Sequence, residues 1–595
     1  MNSFSTSASR GVAGAAACLL ILLAGCGGDS ARAGESTGEE GSAASVDGSW
    51  NPQALKAVKG VPASAIRGGI QQRLGATRPA PLDEDQWRHV QRLYERYRQG
   101  PLWLTKNGLA EDRAEALLKA LIDAHTDALR VDAYPLNELA RALVAVKETP
   151  RPTAQQLATA DVLLTAAYAA LGEDLLTGQL DPRTVSEGWH IDPQEEQVDS
   201  ALARALREEP LDRSIARMRP QDEDYAALVR ELQRYRKLAV QGGWPAVPKG
   251  KALRPGQTDS SVRLAALRQR LEAEELLGAS TPAAQQTGAD STPAGARARA
   301  GGSVYDAQLA GAVADYQARH GIEADSVLGE ETVASLNTPA AYRLGQIAAN
   351  LERFRWLPRS LGSRYVLVNV PAFRLEAYDG GRKALEMKVI VGEEYTDRIT
   401  PVFSDSVEFV VFRPYWNVTD DIATKELWPK IQADPGYMAQ NNYETFREGG
   451  KTRIRQKPGP ENSLGLVKFM FPNDFNIYLH DTPQDELFEE DVRAFSHGCI
   501  RLEKPEQLAQ WVLGWPAERV RQAMEQGPDD KRVDVPRKLP VYIAYFTTYL
   551  RGGQLSFGND LYKRDDALIR AVQDGALPSA QTLRAVDSLR RFVAE

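Results

Sequence analysis

The spacing of apolar residues changes character along the chain, and each change marks a boundary. Gly11 to Ala24 is an unbroken apolar stretch behind Arg10. It is shorter than the roughly 20 residues needed to cross a bilayer, so it reads as the core of an export signal. From Gly27 to about Ser49 the sequence is rich in Gly, Ser and Glu and has no apolar period, as expected of a flexible tether. Between 51 and 236 apolar residues fall at helical spacing, for example Leu117, Leu118, Leu121 and Ile122, and again Leu157, Ala160, Leu164 and Tyr168.

A second helical unit spans 237–340, with Leu264, Leu267 and Leu271 on one stripe and Leu309, Val313, Tyr316 and Gln317 on another. Between them lies a low-complexity run, 278–303, that carries Ser-Thr-Pro-Ala twice. Its flanks share one pattern, so it is expected to be an insertion in a single unit and not a boundary. After a connecting helix over 341–363 the period shortens to two. Tyr365 to Val370, Arg374 to Tyr378, Met387 to Val391, Val407 to Phe412, Val467 to Phe469, Ile477 to Leu479 and Val541 to Phe546 read as strands. Asp379-Gly380-Gly381 supplies a hairpin turn, and Asp421 to Lys430 and Pro505 to Leu513 are local helices. The predicted fold is therefore multidomain α+β. It comprises a signal (1–25), a tether (26–50), a helical scaffold (51–236), a small helical domain (237–340), the connecting helix, a mainly β domain (364–550) with an inserted lid near 417–465, and a C-terminal helical extension (551–595).

Composition narrows the function. A net charge of −8 over 595 residues, with no basic run, excludes a nucleic-acid binder. The six histidines are scattered, so no metal site and no cofactor is expected. There are three cysteines. Cys18 lies in the signal, and Leu23-Ala24-Gly25-Cys26 resembles the bacterial lipoprotein processing site, which implies cleavage before Cys26 and acylation of its sulfur. Gly27, where an acidic residue is absent, then implies a periplasmic protein anchored to the outer membrane. One free thiol remains, Cys499, in an oxidising compartment where an unpaired sulfur is a liability unless it is buried or has chemistry to perform.

Cys499 sits in Phe495-Ser496-His497-Gly498-Cys499-Ile500-Arg501-Leu502. Attack at carbonyl carbon needs the thiolate, and a thiol with the ordinary pKa of about 8.5 is mostly protonated at neutral pH, so a base must be near. Two histidines compete. His497 would share a face with Cys499 if the segment is extended, and His480 closes a predicted strand, Phe475 to Leu479, upstream. Spacing does not choose between them. Gly498 permits a tight turn that aims the N–H groups of Gly498 and Cys499 at a developing oxyanion. Arg501 is suited to pair bidentately with a substrate carboxylate, and Ser496 joins it on the substrate side, fixing the turn or hydrogen-bonding the site.

His480-Asp481-Thr482-Pro483 followed by Ser496 to Leu502 resembles the active-site signature of the L,D-transpeptidase (YkuD-type) catalytic domain. Asn350 to Arg353, Arg355 to Pro358, Asn369 to Phe373, Pro414 to Asn417, Asp434 to Tyr437, Pro458 to Pro460, Asn462, Leu464-Gly465 and Lys468 to Asn473 resemble the large multidomain branch of that family. Val313 to Gln317 with His320-Gly321-Ile322 and Leu328 to Asn337 is similar to the small peptidoglycan-binding domain.

The resemblance implies Cys499 as nucleophile, His480 as general base oriented by a backbone oxygen, and His497 in support. It further implies transfer of peptidoglycan stem tetrapeptides into 3→3 cross-links with loss of D-alanine. Stem peptides are then the partners, and further cell-wall synthesis partners are not specified. The alternatives are an L,D-carboxypeptidase or an enzyme attaching a lipoprotein to the wall, and, from a different class, a non-catalytic wall-binding scaffold.

Overall fold

The helix Ala154–Thr177 is apolar on every side and is buried along almost its whole length, so it can only be the axis of a helical bundle. Helices Ala63–Leu74, Glu84–Arg96, Glu111–Ile122, Leu136–Glu148 and Val198–Arg207 surround it. The computed structural model describes residues 51–594 apart from 187, 192–197, 209, 278–302, 396–397 and 575–577. The export signal, Cys26, the tether and all but the last residue of the low-complexity run lie outside these.

The bundle axis carries two buried carboxylates. Asp161 accepts the Leu102 and Trp103 N–H groups at 2.9 and 2.8 Å and the Tyr94 hydroxyl at 2.6 Å. These bonds tie a loop with little secondary structure to the axis. Asp174 accepts from the Tyr134 hydroxyl and the Gln179 amide, both through Oδ2, at 2.8 and 2.9 Å. The C-terminal helix Ala580–Ala594 also packs on this bundle through Ala585, Val586 and Leu589, far in sequence from its partners.

The small helical unit has its own core, which joins Leu264, Leu267 and Leu271 to Leu309, Val313, Tyr316 and Leu336 across the gap at 278–302. Thr258 pairs with Val304 in a short ladder that closes the same gap.

The connecting helix, Ala340–Arg355, is buried on all sides at its C-terminal end. Arg353 pairs with Asp565 at 2.7 Å, and Asn350 binds the Thr547 and Thr548 hydroxyls. Arg355 pairs with Glu352 at 2.6 Å and also reaches the Asp127 carbonyl and the Tyr225 hydroxyl. Glu352 in turn accepts the Leu180 N–H. One helix thus fastens the bundle to the β domain through buried charges, each paired with an opposite charge.

The β domain is a barrel. Its strands are β2 (Arg364–Asn369), β3 (Arg374–Asp379), β4 (Arg382–Gly392), β5 (Val402–Phe412), β6 (Val467–Met470), β7 (Leu479–His480), β8 (Ala494–Ser496), β9 (Ile500–Leu502) and β10 (Lys531–Ala544). Neighbours run β6-β7-β9-β4-β3-β2-β10-β5, and β5 pairs back onto β6 to close the ring. β1 (Trp189–His190), from the chain leaving the bundle, adds in parallel to the other end of the same β5 edge.

The β2–β4 hairpins match the alternation read from sequence, and Gly380 and Gly381, at φ +58° and +77°, make the two-residue turn. The expected strand from Phe475 is shorter, leaving only Leu479–His480. Asn473 Oδ1 accepts the N–H groups of Phe475 and Ile477 while its amide donates to the carbonyls of Phe471 and Ile477, so the backbone there turns instead of pairing. The expected boundary at 550/551 falls within a hairpin, Thr548–Arg551 with Gln554–Phe557, so no domain ends there.

The region between β5 and β6 folds as a three-stranded sheet, Trp416–Asn417, Tyr443–Glu448 and Lys451–Gln456, over a small core of Val418, Ala423, Leu427 and Ile454.

Burial pushes Asp174 up to about 7 and Asp161 up to about 6. A carboxyl whose folded pKa lies above its unfolded value is destabilising once ionised. Its contribution to stability is therefore greatest below the unfolded value near 4 and is lost as pH rises through the folded one. Thermal unfolding of the bundle should therefore occur at a higher temperature at pH 5 than at pH 8. Asp174→Asn keeps an oxygen for both donors, so it should flatten that dependence and raise Tm at pH 8 by a few degrees, at about 2–4 °C per kcal/mol. Calorimetry across this pH range checks both.

Candidate active site

β7 is two residues long, yet it is paired on both edges. Lys468 of β6 lies opposite His480, and His480 lies opposite Arg501 of β9. Side chains directly opposite in adjacent strands share a face, so Lys468, His480 and Arg501 form a row across the barrel wall. Tyr478 precedes His480 by two residues and belongs to the same face, its ring 5.7 Å from the imidazole. Cys499 immediately precedes β9, two residues before Arg501. The Ile500 N–H donates to the Tyr478 carbonyl at 3.1 Å, which sets Cys499 beside Tyr478. Cys499 is the free thiol among the described residues, and its Sγ lies 3.7 Å from the Asn476 carbonyl, delivered by the Asn473 turn.

His480 is 4% exposed, and its Nδ1 is 2.6 Å from the Asp481 carbonyl oxygen. A carbonyl only accepts, so Nδ1 carries the hydrogen and Nε2 keeps its lone pair. The Asp481 carboxylate points away, accepting the Leu466 and Thr482 N–H groups. Burial, reinforced by Arg501 and Lys468, pushes the His480 imidazole down to about 3. Burial pushes the Cys499 thiol up to about 11, opposed by contacts with Tyr478 and the same two cations. The resting pair is therefore neutral imidazole and neutral thiol. Among the described residues, no carboxylate pairs with Lys468 or Arg501. Arg501 donates to Gln484 Oε1 at 2.8 Å and to the Phe495 carbonyl at 3.2 Å.

The other residues singled out from sequence fall into different places. His497 does not share the Cys499 face, because Gly498 at φ +112° breaks the extension between β8 and β9. Its Nε2 instead meets Glu426 Oε1 of the inserted sheet at 2.6 Å. Glu426 also pairs with Arg398, which pairs with Glu393. It lies in a π-helical turn, Ala423–Leu427, just before Pro429, whose missing N–H widens the helix there. The inserted segment therefore touches the nucleophile's loop directly.

Ser496 is 2% exposed and does not face substrate. Its Oγ accepts the Gly498 N–H at 3.1 Å and donates to the Cys499 carbonyl at 2.5 Å, stapling the turn. The Gly498 N–H, expected as an oxyanion donor, is engaged by that staple. A Cβ at Gly498 would meet Ile477 Cδ1 at 3.0 Å, so both its φ and its surroundings demand glycine. Arg501 lies opposite His480, its guanidinium held by Gln484 and the Phe495 carbonyl.

Sequence reasoning assigned no role to Tyr478, Lys468 or Thr400. The first two are recoverable from strand alternation once β6 and β7 are aligned on His480. Thr400 joins β4 to the catalytic loop, accepting the Gly392 N–H and donating to the Gly498 carbonyl at 2.8 Å, and nothing local signals it. Among the described residues no cluster of metal-ligating side chains occurs.

Comparison with known proteins agrees with this geometry. Residues 363–543 match the family model of the YkuD L,D-transpeptidase catalytic domain, and residues 88–232 match that of a scaffold domain. A protein of Haemophilus influenzae named as an L,D-transpeptidase is 33% identical over 242 residues, covering 37% of this chain and 48% of that protein, so the match spans about half the relative's length. Among solved structures, the L,D-transpeptidase (residues 123–326) from Xylanimonas cellulosilytica is 16% identical over 50% of this chain and 98% of that one, with a TM-score of 0.17. The Ldtfm–avibactam carbamoyl enzyme is 15% identical over 32% and 51%, with a TM-score of 0.16. Likenesses at that level of superposition carry no argument. The sequence match, laid on the barrel that holds Cys499 and His480, places this chain among the proteins that carry an L,D-transpeptidase catalytic domain.

Proposed function

We propose that the barrel catalyses cysteine-dependent acyl exchange on peptidoglycan stem tetrapeptides, forming 3→3 cross-links with release of D-alanine. The observation that supports the reading is the pairing of His480 with Arg501, two residues after Cys499, with Nδ1 of the histidine committed to a backbone oxygen and Nε2 left as acceptor. Nε2 takes the Sγ proton as sulfur bonds to the carbonyl carbon of the third stem residue. The carbonyl oxygen becomes the oxyanion, and the Cys499 N–H remains as its nearby backbone donor. Collapse breaks the peptide bond, and the departing amine of D-alanine takes the proton from His480. An amine of a second stem then attacks the thioester and passes a proton to His480, which returns it to sulfur as the C–S bond breaks.

Lys468 and Arg501 give this face its substrate preference. Among the described residues neither makes an ion pair with a carboxylate, and they depress the basicity of His480 in the empty site. A substrate carboxylate arriving at either cation cancels that field and raises the proton affinity of Nε2, so the base becomes effective when substrate is bound. The inserted sheet acts as a lid that favours amine over water, anchored by Glu426 against His497. Anchoring of the chain to the outer membrane through acylated Cys26 belongs to the same reading, since it would hold the barrel against the wall.

Mass spectrometry of products from a defined tetrapeptide tests the reaction. Cross-linked dimer is expected, whereas hydrolysed tripeptide or peptide attached to protein would identify another acceptor. Cys499→Ala should abolish D-alanine release; unchanged release would overturn the reading. Iodoacetamide at pH 7.5 should alkylate Cys499 about 100-fold more slowly than an unperturbed thiol and accelerate up to about pH 11; a plateau below pH 7 would reveal a standing thiolate instead. Lys468→Met should lower the rate of thioester formation about tenfold, equivalent to about 1.4 kcal/mol. Deleting 420–456 should raise hydrolysis relative to cross-linking, read from the same product spectra.

A further inference from the structure

On the far side of the 475–477 turn from Cys499 lies a cleft of about 840 Å³. One wall is formed by Thr184 to Ser186 with Gly188 and His190, and the other by Tyr562 to Arg564 with Ala567. Ile477, Phe475 and His497 close the end nearest the nucleophile. The cleft is thus continuous with the catalytic loop but separate from the row of Lys468, His480 and Arg501.

Its charges do not balance internally. Glu394 is paired with Lys563, and His497 is paired with Glu426. Arg564, which lines the cleft, is 8% exposed, and its Nη1 is buried without a hydrogen-bond partner. Among the described residues its guanidinium makes no ion pair: Asp560 attracts it only from beyond ion-pair distance, and the rings of Tyr545 and Tyr562 lie 4.9 and 5.3 Å away. Gly188, at φ +76°, leaves room beside it: a Cβ there would stand 2.9 Å from Nη2. A nearly buried guanidinium with an unused donor costs free energy unless something anionic completes it. Its planar fork suits a carboxylate.

We propose that this cleft seats the acceptor stem peptide, with a carboxylate of that peptide on Arg564 and its amine directed past Ile477 toward the thioester. The proposal rests on the acyl-transfer reading above and adds to it a second substrate site, built partly from residues outside the barrel. Donor and acceptor would then approach the sulfur from different sides, the donor along the cationic row and the acceptor from the bundle side.

Binding can be read without turnover in the Cys499→Ala, Lys468→Met, Arg501→Gln protein, which lacks the nucleophile and both barrel-face cations. Titrated with a stem tripeptide ending in a free diaminopimelate carboxylate, it should bind at least tenfold more tightly than it binds the same peptide amidated at that group. Adding Arg564→Gln should remove the difference, and Arg564→Lys should keep part of it. Equal affinity for acid and amide, or a preference that survives Arg564→Gln, overturns the proposal. The acid–amide comparison uses native Arg564, so it decides the matter even if the Arg564 variants unfold. In the otherwise native enzyme, Arg564→Gln should lower the ratio of cross-linked dimer to hydrolysed tripeptide about tenfold, and an unchanged ratio likewise overturns it. Absence of D-alanine release from the native enzyme would count against the reaction and leave the binding result to judge the cleft.

Discussion

The site depends on a strand two residues long being held on both edges. β7 contributes Leu479 to the core and His480 to the opposite face, and ladders to β6 and β9 fix which is which. A slip of one residue would put the imidazole into the barrel and a leucine against the sulfur. The short strand is flanked by two devices that prevent such a slip. The Asn473 turn ends the upstream chain, and the Asp481 side chain, buttoned onto Leu466 and Thr482, ends the downstream one.

That register also explains the electrostatics. The three strands bring two cations beside a buried histidine and a half-buried thiol, and among the described residues neither cation makes an ion pair with a carboxylate. Desolvation and positive charge both disfavour the imidazolium, while desolvation keeps the thiol protonated. The empty site is consequently quiet. The same cations that silence the histidine are the groups a substrate carboxylate would engage, so recognition and activation share one cause.

Much of this was legible in the chain. The strand periods around 364–391 and 407–412, the helical stripes of the bundle and the signature around Cys499 all reflect local rules of alternation and turn chemistry. Sequence also offered two candidate histidines without choosing between them; a single positive φ at Gly498 separates their fates, and one dihedral cannot be read from spacing. Ser496, placed by sequence on the substrate side as well as at the turn, has its hydroxyl engaged within the turn. Lys468 and Tyr478 went unassigned because their place depends on which strands are neighbours, and the barrel order does not follow chain order. The same holds for Asp161, bonded to Tyr94, Leu102 and Trp103, and for the bond from Tyr134 to Asp174, whose partners lie far upstream in the chain.

The helix over Ala340–Arg355 carries a consequence for how the molecule can be divided. Its charged residues are completed half by the bundle and half by the barrel, and the parallel strand Trp189–His190 extends the barrel edge from the bundle side. A fragment cut at the start of the family match would strip Asp565 of its arginine and leave the β5 margin open to intermolecular pairing. In this chain the catalytic barrel is an organ of a larger body, and excising it by homology alone would yield a sticky and poorly supported shell.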